Sequence, residues 1–195
     1  YNFNENTFLP FIAYPDYLNN KILPTALLGA QNLLAFDSLI LTNFYFSKEL
    51  YFTNINDGYV GSFKAGLSSY NHTRGLDKEV NNGDMAESLY NQFKHPVYKN
   101  FSYDPYRKKI YRAVTYLDKT ITSLSVKEFQ SQFLMSPRRD ELINASLIQI
   151  NGDLQIEKVF EVPKCNFYIP VKDGLFVCSY DEKETKNVFR ILKLD

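Results

Sequence analysis

Short runs of apolar and aromatic residues, separated by pairs of turn-forming residues, recur along the chain. Leu33 to Thr42 reads as two strands joined at Asp37-Ser38, whose side chains can bond to the local backbone. Leu50 to Phe63 reads as two more around Asp57-Gly58, a pair that supplies the positive φ of a two-residue hairpin loop. Val97 to Tyr103 and Lys109 to Leu117 flank a turn at Asp104-Pro105; in the second strand Ile110, Arg112, Val114 and Tyr116 oppose Tyr111, Ala113 and Thr115. Asn151-Gly152 lies between Leu147 to Ile150 and Leu154 to Phe160, and Asp173-Gly174 lies between Phe167 to Val171 and Leu175 to Tyr180, with Val188 to Leu194 as a closing strand. The opening, Tyr1 to Tyr14, alternates aromatic and polar residues and adds one or two strands. Residues 31–63 and 145–178 repeat one rhythm, which predicts radially repeated antiparallel sheets, a β-propeller of about three to four four-stranded units in an all-β chain.

Residues 64–95 interrupt the rhythm with Gly66, Ser68, Ser69, Gly75, Asn81, Asn82 and Gly83. Within this insertion Asp84 to Glu87 fits a capping box, and Met85, Leu89 and Phe93 recur at helical spacing, so one short helix is expected up to Lys94 before Pro96 stops it. A long insertion in a compact domain suits a lid or rim over a binding face. Ser125 to Glu128 is a second capping box, with Val126, Phe129 and Phe133 on one helical face, although a strand over Leu124 to Met135 competes. Pro137 to Asp140 is expected as a solvated loop. Residues 1–195 are expected to form a single propeller domain or the C-terminal part of one, because so few units leave strand edges that a further portion or a partner must cover.

Composition narrows the function classes. The 16 Phe and 15 Tyr, with no Trp, favour pleated half-buried sheets. Lys plus Arg and Asp plus Glu balance at 22 each, which leaves no net field to draw nucleic acid or an anionic membrane. No apolar run approaches the ~18 residues that a membrane span needs. The chain opens on Tyr1 instead of Met, as after removal of a signal segment or in a fragment. Asn71, Asn100 and Asn144 stand in glycosylation sequons, a weak signal in an Asn-rich chain. Cys165 and Cys178 are the two cysteines, either half-buried small residues or one cross-strand disulfide in an oxidising compartment.

His95-Pro-Val-Tyr98, Tyr103-Asp-Pro-Tyr-Arg107 and Tyr111-Arg112 stand in order before Ser146-Leu-Ile-Gln-Ile, Asn151-Gly-Asp-Leu, Phe160-Glu-Val-Pro163, Asp173-Gly-Leu-Phe-Val and Phe189-Arg-Ile-Leu-Lys-Leu. This string, over roughly residues 30–195, resembles an uncharacterised family of six-bladed, TolB-like β-propeller proteins of gut bacteria whose members are commonly predicted to be lipoproteins. The resemblance implies that this chain corresponds to the C-terminal half of such a ring. It also implies a bacterial cell-envelope location, periplasmic or associated with the outer membrane through a lipid anchor that this chain does not carry, and it implies no activity.

Candidate chemistry is sparse. His72 and His95 are the two histidines, and His95 beside Pro96 reads first as structural. No Gly-x-Ser-x-Gly elbow, His-Glu-x-x-His pair, Cys/His cluster or phosphate-binding glycine loop is present. Asn54 to Gly58 resembles the start of a calcium loop, but Ala65 stands where the twelfth-position Glu is required, so a hairpin turn is the better reading. No catalytic residue, metal ligand or cofactor is assigned. The densest polar and aromatic group is Tyr98, Asp104, Tyr106, Arg107 and Arg112, with Tyr103 and Tyr111 interleaved and His95 just upstream. Such residues can bind a carboxylate or stack on a sugar or peptide; the alternative is that Asp104 forms a turn and pairs with an Arg to pin the two strands. The leading expectation is a non-enzymatic envelope scaffold that binds a peptide, glycan or protein partner through one face. The rival is a carbohydrate hydrolase or lyase working in a central channel, which needs two acids around the sugar, and Asp104 is the one with reason to face such a channel.

Overall fold

A computed structural model of the chain describes residues 21–22, 31–70, 76–77, 85–165, 167–181 and 185–194. In chain order the elements are β1 (Lys21–Ile22), β2 (Gln31–Phe36), β3 (Leu39–Phe44), β4 (Glu49–Asn54), β5 (Val60–Lys64), β6 (Leu76–Asp77), α1 (Met85–Phe93), β7 (Val97–Asp104), β8 (Lys109–Leu117), α2 (Lys119–Thr122), α3 (Val126–Phe129), β9 (Ile143–Ile150), β10 (Ile156–Glu161), β11 (Phe167–Val171), β12 (Gly174–Asp181) and β13 (Lys186–Leu192). Within each of the three larger sheets, strands consecutive in the chain pair. β2-β3-β4-β5, β7-β8-β9-β10 and β11-β12-β13 are three antiparallel meanders, and β1 with β6 makes a small ribbon. The protein is therefore all-β with a few short helices. Two of the expected four-stranded units are present, the third has three strands, and no sheet closes on itself among the described residues. The strands expected within residues 1–14 lie outside those residues.

Turn chemistry sets the hairpins. β2 and β3 meet at the two-residue turn Asp37-Ser38, with Asp37 at φ 50. The loops at Gly58 and Asn151 are wider than the two-residue turns expected of them, running from Ile55 to Tyr59 and from Asn151 to Gln155. Side-chain bonds to the backbone outcompete the tighter turn. Asn54 Oδ1 accepts from the Asn56 amide, Asp57 Oδ1 from the Tyr59 amide, and Asn151 Oδ1 from the Gln155 amide. In the last loop the residue at positive φ is Leu154, not Gly152. Gly174 has a different constraint: at φ +150 it passes so close to β13 that a Cβ would sit 2.1 Å from the Leu192 carbonyl oxygen. The strand alternative for residues 124–135 gives way to helix. Ser125 caps α3 with both capping-box bonds in place, and a π-helical turn at Gln130–Leu134 continues it.

The alternation along β8 distributes the core. Ile110 and Val114 pack with Ile148 and Ile150 against Phe36, Leu41 and Leu50 of the first sheet. Tyr111 and Ala113, with Leu147, pack on the other side against Tyr168, Leu175 and Val177 of the third. The second sheet is thus the middle layer of three, and each fully buried aliphatic or aromatic side chain in the two interfaces contributes about 1.5–3 kcal/mol. The first strands of the sheets also meet, β7 touching both β2 and β11.

A polar latch lies inside the first of these interfaces. Arg112 is 0% exposed. Its Nε donates to Asn43 Oδ1 at 2.8 Å, Nη1 to the Ala65 and Lys48 carbonyls at 2.9 and 3.3 Å, and Nη2 to the Ser47 and Glu49 carbonyls at 2.7 and 3.3 Å. The guanidinium carbon stands 4.1 Å from the centre of the Tyr98 ring. Asn43, equally buried, uses its amide to donate to the Tyr98 and Lys99 carbonyls. Those carbonyls flank a β-bulge, because Tyr98 pairs with Val114 whereas Phe101 already pairs with Arg112. The extra residue shifts the phase of β7, so Tyr98, Phe101 and Tyr103 all reach the same core.

Two substitutions test this packing. Gly174→Ala drives a methyl into the β13 backbone and should destabilise the fold by about 1–3 kcal/mol, read from a lower urea midpoint; an unchanged midpoint would mean that the β12–β13 contact is loose. Thr42 is buried, and its hydroxyl has no hydrogen-bond partner. Thr42→Val keeps the shape, removes the unsatisfied group and should raise stability by about 1 kcal/mol.

Candidate functional site

An antiparallel meander places alternate connections at opposite ends, and here the ends differ in kind. One end carries the short hairpin loops β2–β3, β4–β5, β7–β8, β9–β10 and β11–β12. The other gathers, among the described residues, 65–70 and α1, residues 118–142 with α2 and α3, the β3–β4 turn and residues 162–165 before β11. The helices there share a small core of their own. Phe129 and Phe133 pack with Leu117, Phe93 and Tyr90, and the Phe129 and Phe133 rings are 4.9 Å apart. Tyr90 Oη donates to the Leu124 carbonyl, and Tyr70 Oη to the Leu117 carbonyl at 2.6 Å. Burial, with Tyr116 and Asp118 nearby, raises the Tyr70 phenol.

A cavity of about 390 Å³ opens at this end. Its walls come from strands and connections of the three sheets: Tyr45 of the β3–β4 turn, Phe93 at the end of α1, His95 after it, Val97 and Lys99 of β7, Tyr116 of β8, Asp140, and Lys164 before β11. Tyr116 also lines two adjoining hollows with Asp118 and Glu161. Lys164 Nζ lies 3.0 Å from Asp140 Oδ1. Lys99 remains open to solvent on one side, yet the cavity wall desolvates its ammonium, and Lys164 repels it; both lower its pKa. Strand alternation from Val97, two residues earlier, puts Lys99 there. Its carbonyl is held by the side chains of Asn32 and Asn43, so the latch between the sheets also fixes this lysine's backbone.

The structure separates the residues that the sequence groups together. His95 lines the cavity. Tyr98 and Arg112 lie in the core, where Tyr98 Oη accepts from the Leu67 amide and the Arg112 donors are committed to the first sheet. Asp104, Tyr106 and Arg107 form the β7–β8 turn at the opposite end. Asp104 is 0% exposed; its Oδ1 accepts from the Tyr106 and Arg107 amides, and its Oδ2 pairs with Arg107 Nη1 at 2.9 Å. Arg107 further donates to the Val171 and Lys172 carbonyls, which ties the second sheet to the third. Tyr106 is 60% exposed at the tip of the turn. Asp104 thus caps a turn and pins strands, the alternative reading above, and offers no acid to a channel. Cys165 and Cys178 carry free thiols, and burial raises that of Cys165. Among the described residues no group of acids, histidines or cysteines could hold a metal, and no helix is long and apolar enough to cross a membrane. Lys99 and Lys164 were not singled out from the sequence. The available signal for Lys99 was its place two residues after Val97, on the same strand face.

No family model matches the sequence. No curated protein matches it. Among solved structures, the chain is similar to the crystal structure of a member of the DUF4221 family from the gut bacterium Bacteroides vulgatus, at 18% identity and a TM-score of 0.50 over 86% of this chain and 47% of that one. The likeness is one of fold, to a member of a family of unknown function, and this chain spans about half the length of that protein.

The carboxylates that cap α2 and α3 make this end sensitive to acid. Bonds from the Thr120 amide and hydroxyl hold the Asp118 carboxyl below its usual range, and bonds from the Ser125 hydroxyl and amide do the same for Glu128. Both folded pKa values lie below the unfolded ones, so the stabilisation is complete above the unfolded carboxylate range near pH 4 and drains away as pH falls through the folded values. The urea midpoint should drop between pH 6 and pH 3, and the Asp118→Asn, Glu128→Gln double variant should flatten that drop; an equally steep drop in the variant would place the acid sensitivity elsewhere.

Proposed function

We propose that the three meanders are successive blades of a TolB-like, six-bladed β-propeller of the bacterial cell envelope, and that it binds a peptide, glycan or protein partner at its loop-bearing end without catalysing a reaction. The contact of β7 with both β2 and β11 supports a hub of first strands, from which each sheet runs outward to a last strand. Packing of the second sheet on both neighbours supports blades stacked face to face. The match of this chain to about half of the Bacteroides protein fits a partial ring. The envelope location and lipoprotein character rest on the motif resemblance alone.

The observation that carries the binding reading is the asymmetry of the two ends. Every helix among the described residues stands at one end, around a cavity with aromatic and charged walls, while the other end consists of hairpin loops of two to five residues. Rigid sheets hold such loops in place, so binding there loses little ordering entropy and needs no cofactor. The β10 and β13 strands are largely exposed along their length and fit outer blade edges.

Arrays of glycans and peptides, followed by hydrogen exchange on a selected ligand, test this reading. Protection should appear at Tyr45 to Lys48, His95 to Lys99 and residues 118–142. Protection confined to the turns at Asp37, Asp104 and Asp173 would overturn it, and turnover of any array member would overturn the non-catalytic part.

A further inference from the structure

The strongest chemical asymmetry of the loop-end cavity is its charge. Two ammonium groups, Lys99 and Lys164, reach a space whose remaining walls are mainly rings and aliphatic carbon: Tyr45, Phe93, Tyr116 and Val97. One carboxylate, Asp140, faces Lys164. The lining therefore carries a net positive charge even with His95 neutral, in a chain that is neutral as a whole.

Lys99 enters this wall at an irregular point of β7. Lys99 follows Val97 by two residues and so shares its face, which also carries Thr115, and all three line the cavity; the bulge that follows sets Lys99 and Asn100 opposite a single residue of β8. Two asparagine side chains of the first sheet secure the bulge through its carbonyls, so the lysine backbone is held whether or not its side chain is occupied. Lys164 already has Asp140 as a partner, whereas Lys99 and Lys164 repel one another, a repulsion that a shared anion would relieve.

We infer that this cavity binds a small carboxylate-bearing ligand with a ring-shaped body, the carboxylate between Lys99 and Lys164 and the ring against Tyr45, Phe93 and Tyr116. The inference rests on the loop-end binding reading and names its ligand class. A charge-assisted bond to each ammonium orients the acid group. The aromatic walls contribute through ring contact, whether the body is an aromatic acid or a uronic acid. Since the cavity is open on one side, a ring at the end of a longer chain fits as well as a free one.

Calorimetric titration of the chain with four probes tests the inference: phenylacetate, galacturonate, galactose and acetate. At least one ring carboxylate should bind, and the one that binds identifies the ring. Galactose and acetate should each bind at least about tenfold more weakly, since each lacks one half of the recognition. Lys99→Gln and Lys164→Gln should each weaken the ring carboxylate about tenfold, with circular dichroism unchanged, because the bulge is held through backbone carbonyls. Equal binding of acetate would overturn the inference in favour of a generic anion site, and so would binding that survives both substitutions. If neither ring carboxylate binds while a neutral glycan or peptide protects the same loops, the carboxylate inference falls and the loop-end reading stands; if nothing protects that end, both fall.

Discussion

One buried guanidinium determines how the sheets sit on one another. Apolar faces attract without direction, so two sheets packed through Leu, Ile and Phe alone could settle at several offsets. Arg112 removes that freedom. Its planar fork meets carbonyls of the β3–β4 turn and of Ala65 in fixed geometry, and Asn43 returns the contact to the bulge carbonyls of β7. Burial of an arginine is expensive, and an apolar residue of similar volume often gives equal or greater stability. What the arginine supplies is registry between the sheets. Gly66 belongs to the same node: a Cβ there would meet Tyr98 Oη and the Lys48 backbone, so the chain leaving the first sheet can pass close to the latch only as glycine.

Registry at the core reaches the loop end through the bulge. The Asn43 amide that serves Arg112 also holds the Lys99 carbonyl, and the next side chains along β7 and β8 line the cavity. Fold and candidate site are thus one continuous construction, with the aromatic cluster around Phe129 and Phe133 bracing the helices from outside. The tight-turn end has a different task. Asp104 and Arg107 there close a hairpin and tie it to the third sheet, a structural use of a group that in isolation looks built for ligand binding.

Much of the fold was legible because hairpin strands announce themselves locally. The alternation of Ile110, Arg112, Val114 and Tyr116 against Tyr111 and Ala113 named both faces of β8 correctly, and the Ser125 to Glu128 box named the start of α3. Loop widths at Gly58 and Asn151 were not legible, because asparagine and aspartate side chains compete with the tight turn once the strands are placed. The candidate site was the least legible part. His95, Tyr98, Asp104, Arg107 and Arg112 are dense in sequence, yet the fold sends Tyr98 and Arg112 to the core and Asp104 and Arg107 to the opposite turn, and only His95 of that group reaches the cavity. Lys99, Lys164, Tyr45 and Tyr116 come together from separate strands and connections, and no local pattern in the chain links them.

The claim that most depends on this account is that Arg112 and Asn43 act as a unit between the first and second sheets. A double-mutant cycle with Arg112→Lys and Asn43→Ala, followed by urea unfolding, measures it. The account predicts a coupling energy of about 1–3 kcal/mol between the two substitutions. Effects that add within about 0.5 kcal/mol would contradict it, because residues that add independently do not form a latch.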